Sequence, residues 1–543
     1  MSDSQPTAFI PRPLKVVVIG AGFSGIQFAH EVTSTLPNID LEIFEKNPCL
    51  GGTWYENRYP GCTCDIPSHT YQYTRQPNPS WSKLYPPASE IKQYLETTVD
   101  QHDLRKYMRF NWKCVSAKWE EGHSRWLTTF KCTRTEETKT VESDVLVYAV
   151  GRLNNFRLPD LEGQDRFRGL IVHTASWPEH LDVSGKNVVV VGNGASAVQC
   201  VPAIQPKVSK LVNIARSPTW IVPHILTKEG CIQRDYSPDE IERLRTNEDT
   251  FYQNRLTLER SVASGFRGLW KHTPAQTEVQ RLARSFMESK IKSPSVRSAL
   301  IPDFAVGCRR STPGEHYLDA LQQLNVQYVQ DSVTQLDETA VITGTGERFE
   351  CDVLVCATGF VPYQPQFPVV GRAGVSLNRA WDFYGPCESY MASMVAGLPN
   401  FFAFNPPICP VSGSAIPGIE RAANYIVRVI NRLQSDDMRS VCVKEKAQKD
   451  FNKWVQSRMP EMAWSGSCNS WYKNATRRVI VPWPGTTTHY YAATNIIRWE
   501  DFDLEFRCPE QKYNSFGNGV TLDGLVPDKF PWLSKSISAR AKL

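Results

Sequence analysis

The sequence predicts an α/β protein with two parallel sheets wound by helices and a helical insertion. Three observations carry this expectation. Two β-branched runs, residues 15–19 and 187–191, each lead into a glycine-rich turn and then a helical stretch. Continuous apolar runs of this kind suit strands buried on both faces of a parallel sheet. Later segments, from Asp144 to Gly151 and from Asp352 to Phe360, repeat a strand running into a glycine turn, as a chain would on returning to each sheet.

The first turn reads Gly20-Ala21-Gly22-Phe23-Ser24-Gly25. A second strand, residues 41–44, ends at Glu45, twenty residues after Gly25. Strand, G-x-G-x-x-G turn, helix, strand and acid, at these spacings, form the fingerprint of a dinucleotide site. The glycines let backbone N–H groups and a helix N-terminus approach a pyrophosphate, and Glu45 can accept hydrogen bonds from ribose hydroxyls. Gly20, Gly22, Phe23, Ser24, Gly25, Glu45 and its neighbour Lys46 are the first candidate cofactor contacts.

The pattern recurs at Gly192-Asn193-Gly194-Ala195-Ser196-Ala197, where alanine replaces the third glycine and still permits close packing. Gly192, Asn193, Gly194, Ala195 and Ser196 are the matching candidates. The next strand, residues 211–214, runs into Ala215-Arg216-Ser217 without a carboxylate. An acid there would repel a 2′-phosphate, whereas Arg216 offers it a charge-assisted fork. Arg216 and Ser217 therefore point to NADPH rather than NADH.

Two dinucleotide-binding, Rossmann-like domains in one chain imply a tightly held FAD and an exchanging NADPH. A disulfide reductase and a monooxygenase both fit that pair. The segment from Gly51 to Asp65 favours the monooxygenase, because its Cys62 and Cys64 are separated by a single residue, a poor spacing for a redox disulfide. Residues 228–300 turn charged and helical, with Pro238-Asp239-Glu240 as a helix start, and a further helix is expected over 419–433. The expected domains are 1–150 with 381–543 for FAD, 151–224 with 309–380 for NADPH, and 225–308 as the insertion.

Between the two glycine loops the chain reads Phe167-Arg-Gly-Leu-Ile-Val-His-Thr-Ala-Ser-Trp-Pro178. This F-x-G-x-x-x-H-x-x-x-W-P string resembles the fingerprint of the Baeyer–Villiger monooxygenases, class B flavoproteins that include fungal FAD-binding monooxygenases. The segment from Gly51 to Asp65 resembles the family's G-G-x-W-x-x-N-R-Y-P-G-x-x-x-D motif, and Gly307-Cys308-Arg309-Arg310 its G-C-K-R motif. The resemblance covers about residues 15–490.

The resemblance implies that Arg310 stands over the flavin and that Asp65 orients it. It adds Gly52, Thr53, Trp54, Ile66, Tyr71 and Val115 as FAD contacts, and puts Arg309 where the family's lysine meets the 2′-phosphate. Phe167, Gly169, His173, Trp177 and Pro178 become an inter-domain linker, with His173 a hinge residue rather than a base. The implied reaction turns a ketone into an ester or lactone through a C4a-peroxyflavin and a tetrahedral adduct, with O2 as co-substrate and sulfoxidation as a side activity. A permanent cation suits the anions on that path, since arginine does not lose its proton. An N- or S-oxidising flavin monooxygenase and a non-catalytic flavin protein are the alternatives.

The segment from Cys468 to Tyr472 and that from Val481 to Gly485 resemble an aromatic substrate-side segment of some family members. Many of these have Gly-Arg where this chain has Arg477-Arg478.

Composition narrows the rest. Of 543 residues, 61 are basic and 56 acidic, without a basic run of the kind that tracks nucleic acid. Fifteen dispersed cysteines without a C-x-x-C pair suggest reduced thiols, so neither a disulfide nor a metal is expected. The first residues lack a signal-peptide pattern, and no apolar stretch is long enough to span a membrane. Ala541-Lys542-Leu543 differs by one residue from a peroxisomal import tripeptide, which leaves cytoplasm and peroxisome both open. The sequon at Asn474 is read as a chance match. Oligomeric state and the identity of the ketone are not legible.

Overall fold

The computed structural model describes residues 7–223, 234–526, 530 and 532. Met1 to Pro6, Lys228 and the Ala541-Lys542-Leu543 tripeptide lie outside the described residues.

Two five-stranded parallel sheets form the frame. The first runs in the order Phe401–Ala403, Val145–Tyr148, Leu14–Ile19, Ile39–Phe44 and Met108–Arg109. The second runs Val326–Val329, Lys210–Ile214, Asn187–Val191, Val353–Cys356 and Leu170–His173. In each, the strand that feeds a glycine loop is central. The two later strand-and-glycine segments flank those central strands, one in each sheet, as their sequences predict. Val16, Val17 and Val18 are fully buried, as expected for a strand covered on both faces of a parallel sheet.

The helix expected over 419–433 runs Ala415–Ser435. Ile416, Ile419, Ala423, Ile426, Ile430 and Leu433 repeat at intervals of three and four, forming one apolar stripe, and all are buried. That stripe packs in the first core beside Val16 and Val18, and Ser414 caps the helix by accepting from the Ile416 N–H. A four-stranded sheet, Trp112–Glu120, Arg125–Cys132 and Thr138–Ser143 with Val369–Val370, stands beside the first parallel sheet.

The charged stretch folds into the helices Pro238–Thr246, Glu248–Ser264, Pro274–Lys290 and Pro294–Leu300. Ser237 and Glu240 form the capping box of the first, with Pro238 at its start. Leu258 and Phe266 enter the first core, whereas Ala283, Met287 and Leu300 enter the second. These helices therefore bridge the two sheets.

One expectation is overturned. Cys308 and Cys468 form a disulfide across 160 residues, with their Cα atoms 6.1 Å apart. The spacing rules that excluded a disulfide read only near neighbours in sequence, and this pair is brought together by tertiary folding. Cys62 and Cys64 remain free thiols. Asn474 of the sequon is buried, its amide donating to the Gly385 carbonyl at 2.8 Å, so it offers no acceptor to a glycan. Among the described residues no helix is long and apolar enough to cross a membrane, and no cluster of three or more His, Cys, Asp or Glu could hold a metal ion.

Candidate active site

The first glycine loop is shaped by contacts that leave no room for side chains. A Cβ on Gly25 would stand 2.0 Å from the Gly20 carbonyl oxygen, so only glycine lets the helix Phe23–Thr35 sit this close to the strand. That helix starts at Gly22 with no side-chain cap, and its first-turn N–H groups remain available to an anion. Gly52 meets Gly22 from the opposite side, and Thr53 and Trp54 begin the short helix Thr53–Glu56. This uncapped glycine cradle fits the pyrophosphate of a dinucleotide.

Glu45 is buried and accepts hydrogen bonds from the Ala21 and Asn47 N–H groups, both at 2.9 Å. Burial raises its pKa while these two donors pull it down. The acid expected for a ribose thus also braces the loop. Lys46 pairs with Glu56 at 2.8 Å and donates to Asn154, so its charge is answered by the protein. Phe23 packs against Tyr71, which packs edge-on against Trp54, and Ser24 is buried behind them. Ile66 packs on the same core. Val115 lies at a bulge of the strand Trp112–Glu120, whose first N–H donates to the Glu45 carbonyl.

The second loop repeats the design. A Cβ on Gly192, where φ is +119°, would meet the Ala357 carbonyl oxygen at 2.5 Å. The helix Ala195–Ile204, which begins with Ala195 and Ser196, again starts from a glycine, Gly194, without a side-chain cap. Asn193 donates to the Ser217 carbonyl at 2.7 Å and accepts from Arg309 at 3.4 Å; Arg309 also donates to the Pro218 carbonyl. Residues 193, 217 and 309, far apart in sequence, meet here, with Arg216 exposed next to Ser217. Burial lowers the pKa of Arg309, and only phenols, Tyr328 and Tyr317, oppose that shift. A half-buried cation answered by phenols rather than a carboxylate suits a phosphate.

Arg310 and Asp65 come together across 245 residues. The Nε and Nη2 atoms of Arg310 both donate to one Asp65 oxygen, at 3.1 and 2.7 Å. Asp65 raises the arginine's pKa further, against burial. The arginine side chain keeps 37% of its surface accessible against 19% for the aspartate, so the pair is fixed on one face and open on the other. The Tyr472 phenol lies in the field of the same guanidinium, and burial holds it above its usual pKa despite Arg310, which keeps it protonated.

The linker string forms the edge strand Leu170–His173 of the second sheet. Phe167 lies under Gly169, where a Cβ would meet its ring at 2.4 Å, and Trp177 is buried in the second core, followed by Pro178. His173 is buried, stacks on Phe156 at 4.3 Å and accepts from the Ala175 N–H; burial pushes its pKa down to about 4. It is a neutral structural ring.

In the segment over 465–490, Tyr472, Trp483 and Tyr490 are buried, leaving Trp471 half-exposed. Most of these aromatics are core rather than a binding surface. The Lys473 ammonium lies 3.7 Å from each disulfide sulfur and donates to the Gly466 and Cys468 carbonyls; burial pushes its pKa down to about 8. Sequence reasoning missed Lys473, the disulfide and Arg152. The last of these stands next to Gly151, in a segment read only as a strand and turn.

Comparison with known proteins extends these findings. The NAD(P)-binding Rossmann-like domain profile matches residues 18–86. The chain is 34% identical over 533 residues to the FAD-binding monooxygenase tazF of Aspergillus terreus, covering 95% of this chain and 93% of that one. It is 32% identical over 511 residues to a Baeyer-Villiger monooxygenase of Streptomyces coelicolor, covering 92% and 94%. The solved structure of cyclohexanone monooxygenase from Rhodococcus sp. Phi1 bound to NADP+ matches with a TM-score of 0.79 at 25% identity, covering 92% of this chain and all of that one.

Proposed function

Because the chain belongs to the Baeyer–Villiger monooxygenases, and is an FAD- and NADPH-dependent enzyme, we propose that Arg310 and Asp65 are the residues on which its ketone oxygenation depends. The overall reaction consumes one ketone, O2, NADPH and a proton, and yields an ester or lactone, NADP+ and water. Bound FAD, once reduced by NADPH, supplies the activation of oxygen.

The first glycine loop, with Glu45, Gly52 to Trp54, Tyr71 and Val115, would hold FAD between segments 1–150 and 381–543. The second loop, with Arg216, Ser217 and Arg309, would hold NADPH between 151–224 and 309–380. The uncapped helix starts at Gly22 and Gly194 support both assignments.

The observation that carries the catalytic reading is the one-sided pairing of Arg310 with Asp65. Asp65 fixes the guanidinium and leaves its other face free to stabilise negative charge as oxygen is delivered to the carbonyl carbon. A preset cation needs no reorganisation at that moment, and an arginine keeps its charge at every working pH. Tyr472, protonated beside it, can donate a second hydrogen bond to a developing oxyanion.

Arg310→Ala tests the proposal. NADPH-driven flavin reduction in stopped flow should persist while ester formation falls about 10³-fold or more, the scale of losing a main electrostatic donor. Retained ester product would overturn it. Running a ketone beside a sulfide separates this chemistry from S-oxidation, which has no need of Arg310.

A further inference from the structure

Arg152 stands next to Gly151, where the chain leaves the strand Val145–Tyr148. Its guanidinium donates to the Cys409 sulfur, from which the Tyr363 hydroxyl stands 4.0 Å away, and lies 5.6 Å from the centroid of the Trp471 ring. Among the described residues it has no carboxylate within ion-pair reach. Arg310 has Asp65, Arg478 has Glu388 and Lys46 has Glu56, whereas Arg152, like the buried Lys473, has no carboxylate among the described residues. A half-buried guanidinium that meets a thiol, phenols and an indole ring but no carboxylate is incompletely answered, and an arriving anion would complete its partners.

Its position gives the anion a source. Trp471 precedes Tyr472, and the Tyr472 phenol is held electrostatically by both Arg310 and Arg152. Arg152 also lines a small cleft of about 20 Å³ with Tyr148, Tyr363, Trp381 and Phe404, room for a polar group rather than a whole skeleton. Asn155 and Gln366 supply the other polar edge.

We propose that Arg152 is an anion-binding subsite of the oxygenation pocket, and that the substrates are ketones carrying a carboxylate or similarly acidic oxygen. The inference rests on the Baeyer–Villiger reading of the Arg310 site. Arg310 answers the charge that arises during reaction, and Arg152 answers a charge the substrate brings with it. A guanidinium fork matches a carboxylate with two parallel hydrogen bonds, as a lysine would not.

The test uses the oxidised FAD-loaded enzyme and two probes, 3-benzoylpropanoate and its methyl ester, titrated by flavin difference absorbance. Binding does not require turnover, so it is read separately from ester formation, which tests the Arg310 assignment. The acid should bind about 10- to 100-fold more tightly than the ester, the range of a charge-assisted hydrogen bond. In Arg152→Gln that ratio should collapse toward one, and Arg152→Lys should recover part of it. Equal binding of acid and ester by the unaltered enzyme, or binding of neither, would overturn the proposal even if the glutamine variant fails to fold. So would an Arg152→Gln variant that shifts the flavin spectrum and weakens both probes equally, since Arg152 would then serve the flavin.

Discussion

The loop from Gly20 to Gly25 and the surroundings of Arg310 hold charge by different constructions. The loop takes its shape largely from the strand–helix–strand unit around it: Gly20 donates to Phe44, Gly51 donates to Ala21, and Glu45 accepts from Ala21. Arg310 depends on distant segments, with Asp65 lying 245 residues away and Tyr472 beyond it on the other side. The disulfide from Cys308 to Cys468 ties the segment carrying Arg310 to the one carrying Tyr472. A pyrophosphate can be received by backbone N–H groups that one turn supplies. A cation that must be fixed on one face and open on the other needs partners from several directions.

If the loop is locally determined, one methyl group should break it without disturbing the Arg310 pair. Gly25→Ala puts a Cβ 2.0 Å from the Gly20 carbonyl, and backbone on both sides must move to admit it. The expected loss is about 3 kcal/mol or more in denaturant unfolding, at the upper end for overpacking, with purified protein that has lost most of its FAD. Normal flavin content would show that the loop tolerates displacement and is less rigid than its contacts imply.

The disulfide allows the opposite test, of an assembled region. In Cys468→Ser the expected loss is about 2–4 kcal/mol, since the bridge closes a loop of 160 residues, and the oxygenation step should slow more than flavin reduction. Unfolding with and without reductant, together with thiol titration, reads the first effect, and single-turnover kinetics the second. An unchanged melting curve would mean that packing around Trp464 and Tyr472 holds the segment by itself.

The same contrast explains what the sequence made legible. Both sheets, both glycine loops and the long helix could be read because each rests on a short period or a fixed spacing: β-branched runs, G-x-G-x-x-G, and apolar residues three and four apart. The meeting of Asp65 with Arg310 was reached only through the resemblance of their two motifs, since no local rule joins residues so far apart. The disulfide, Lys473 and the carboxylate-free setting of Arg152 could not be read at all, because each is defined by what tertiary folding brings near. Whether the aromatics over 465–490 pack or bind stayed open for the same reason. Trp483 and Tyr490 are sequence-adjacent to turns, yet they are buried against Phe451 and the core.

The smallest effect is expected at Arg477, where the assembled region uses a residue against its conformational preference. Its φ is +64°, in the left-handed region that glycine enters freely and a residue with a Cβ enters at a cost of about 1–2 kcal/mol. Here the cost is partly offset by the guanidinium, which donates to the Ser467 carbonyl at 2.7 Å and so fastens the turn to the segment leading into Cys468. Arg477→Gly relieves the strain but removes that bond and loosens the unfolded chain, so the terms nearly cancel and the melting temperature should rise by no more than about 2 °C. Arg477→Ala keeps the strain without the bond and should lower it by a similar amount. If both variants fell by several degrees, the Ser467 contact would be the main fastening of the loop, and Arg477 would count among the residues that hold Tyr472 against Arg310.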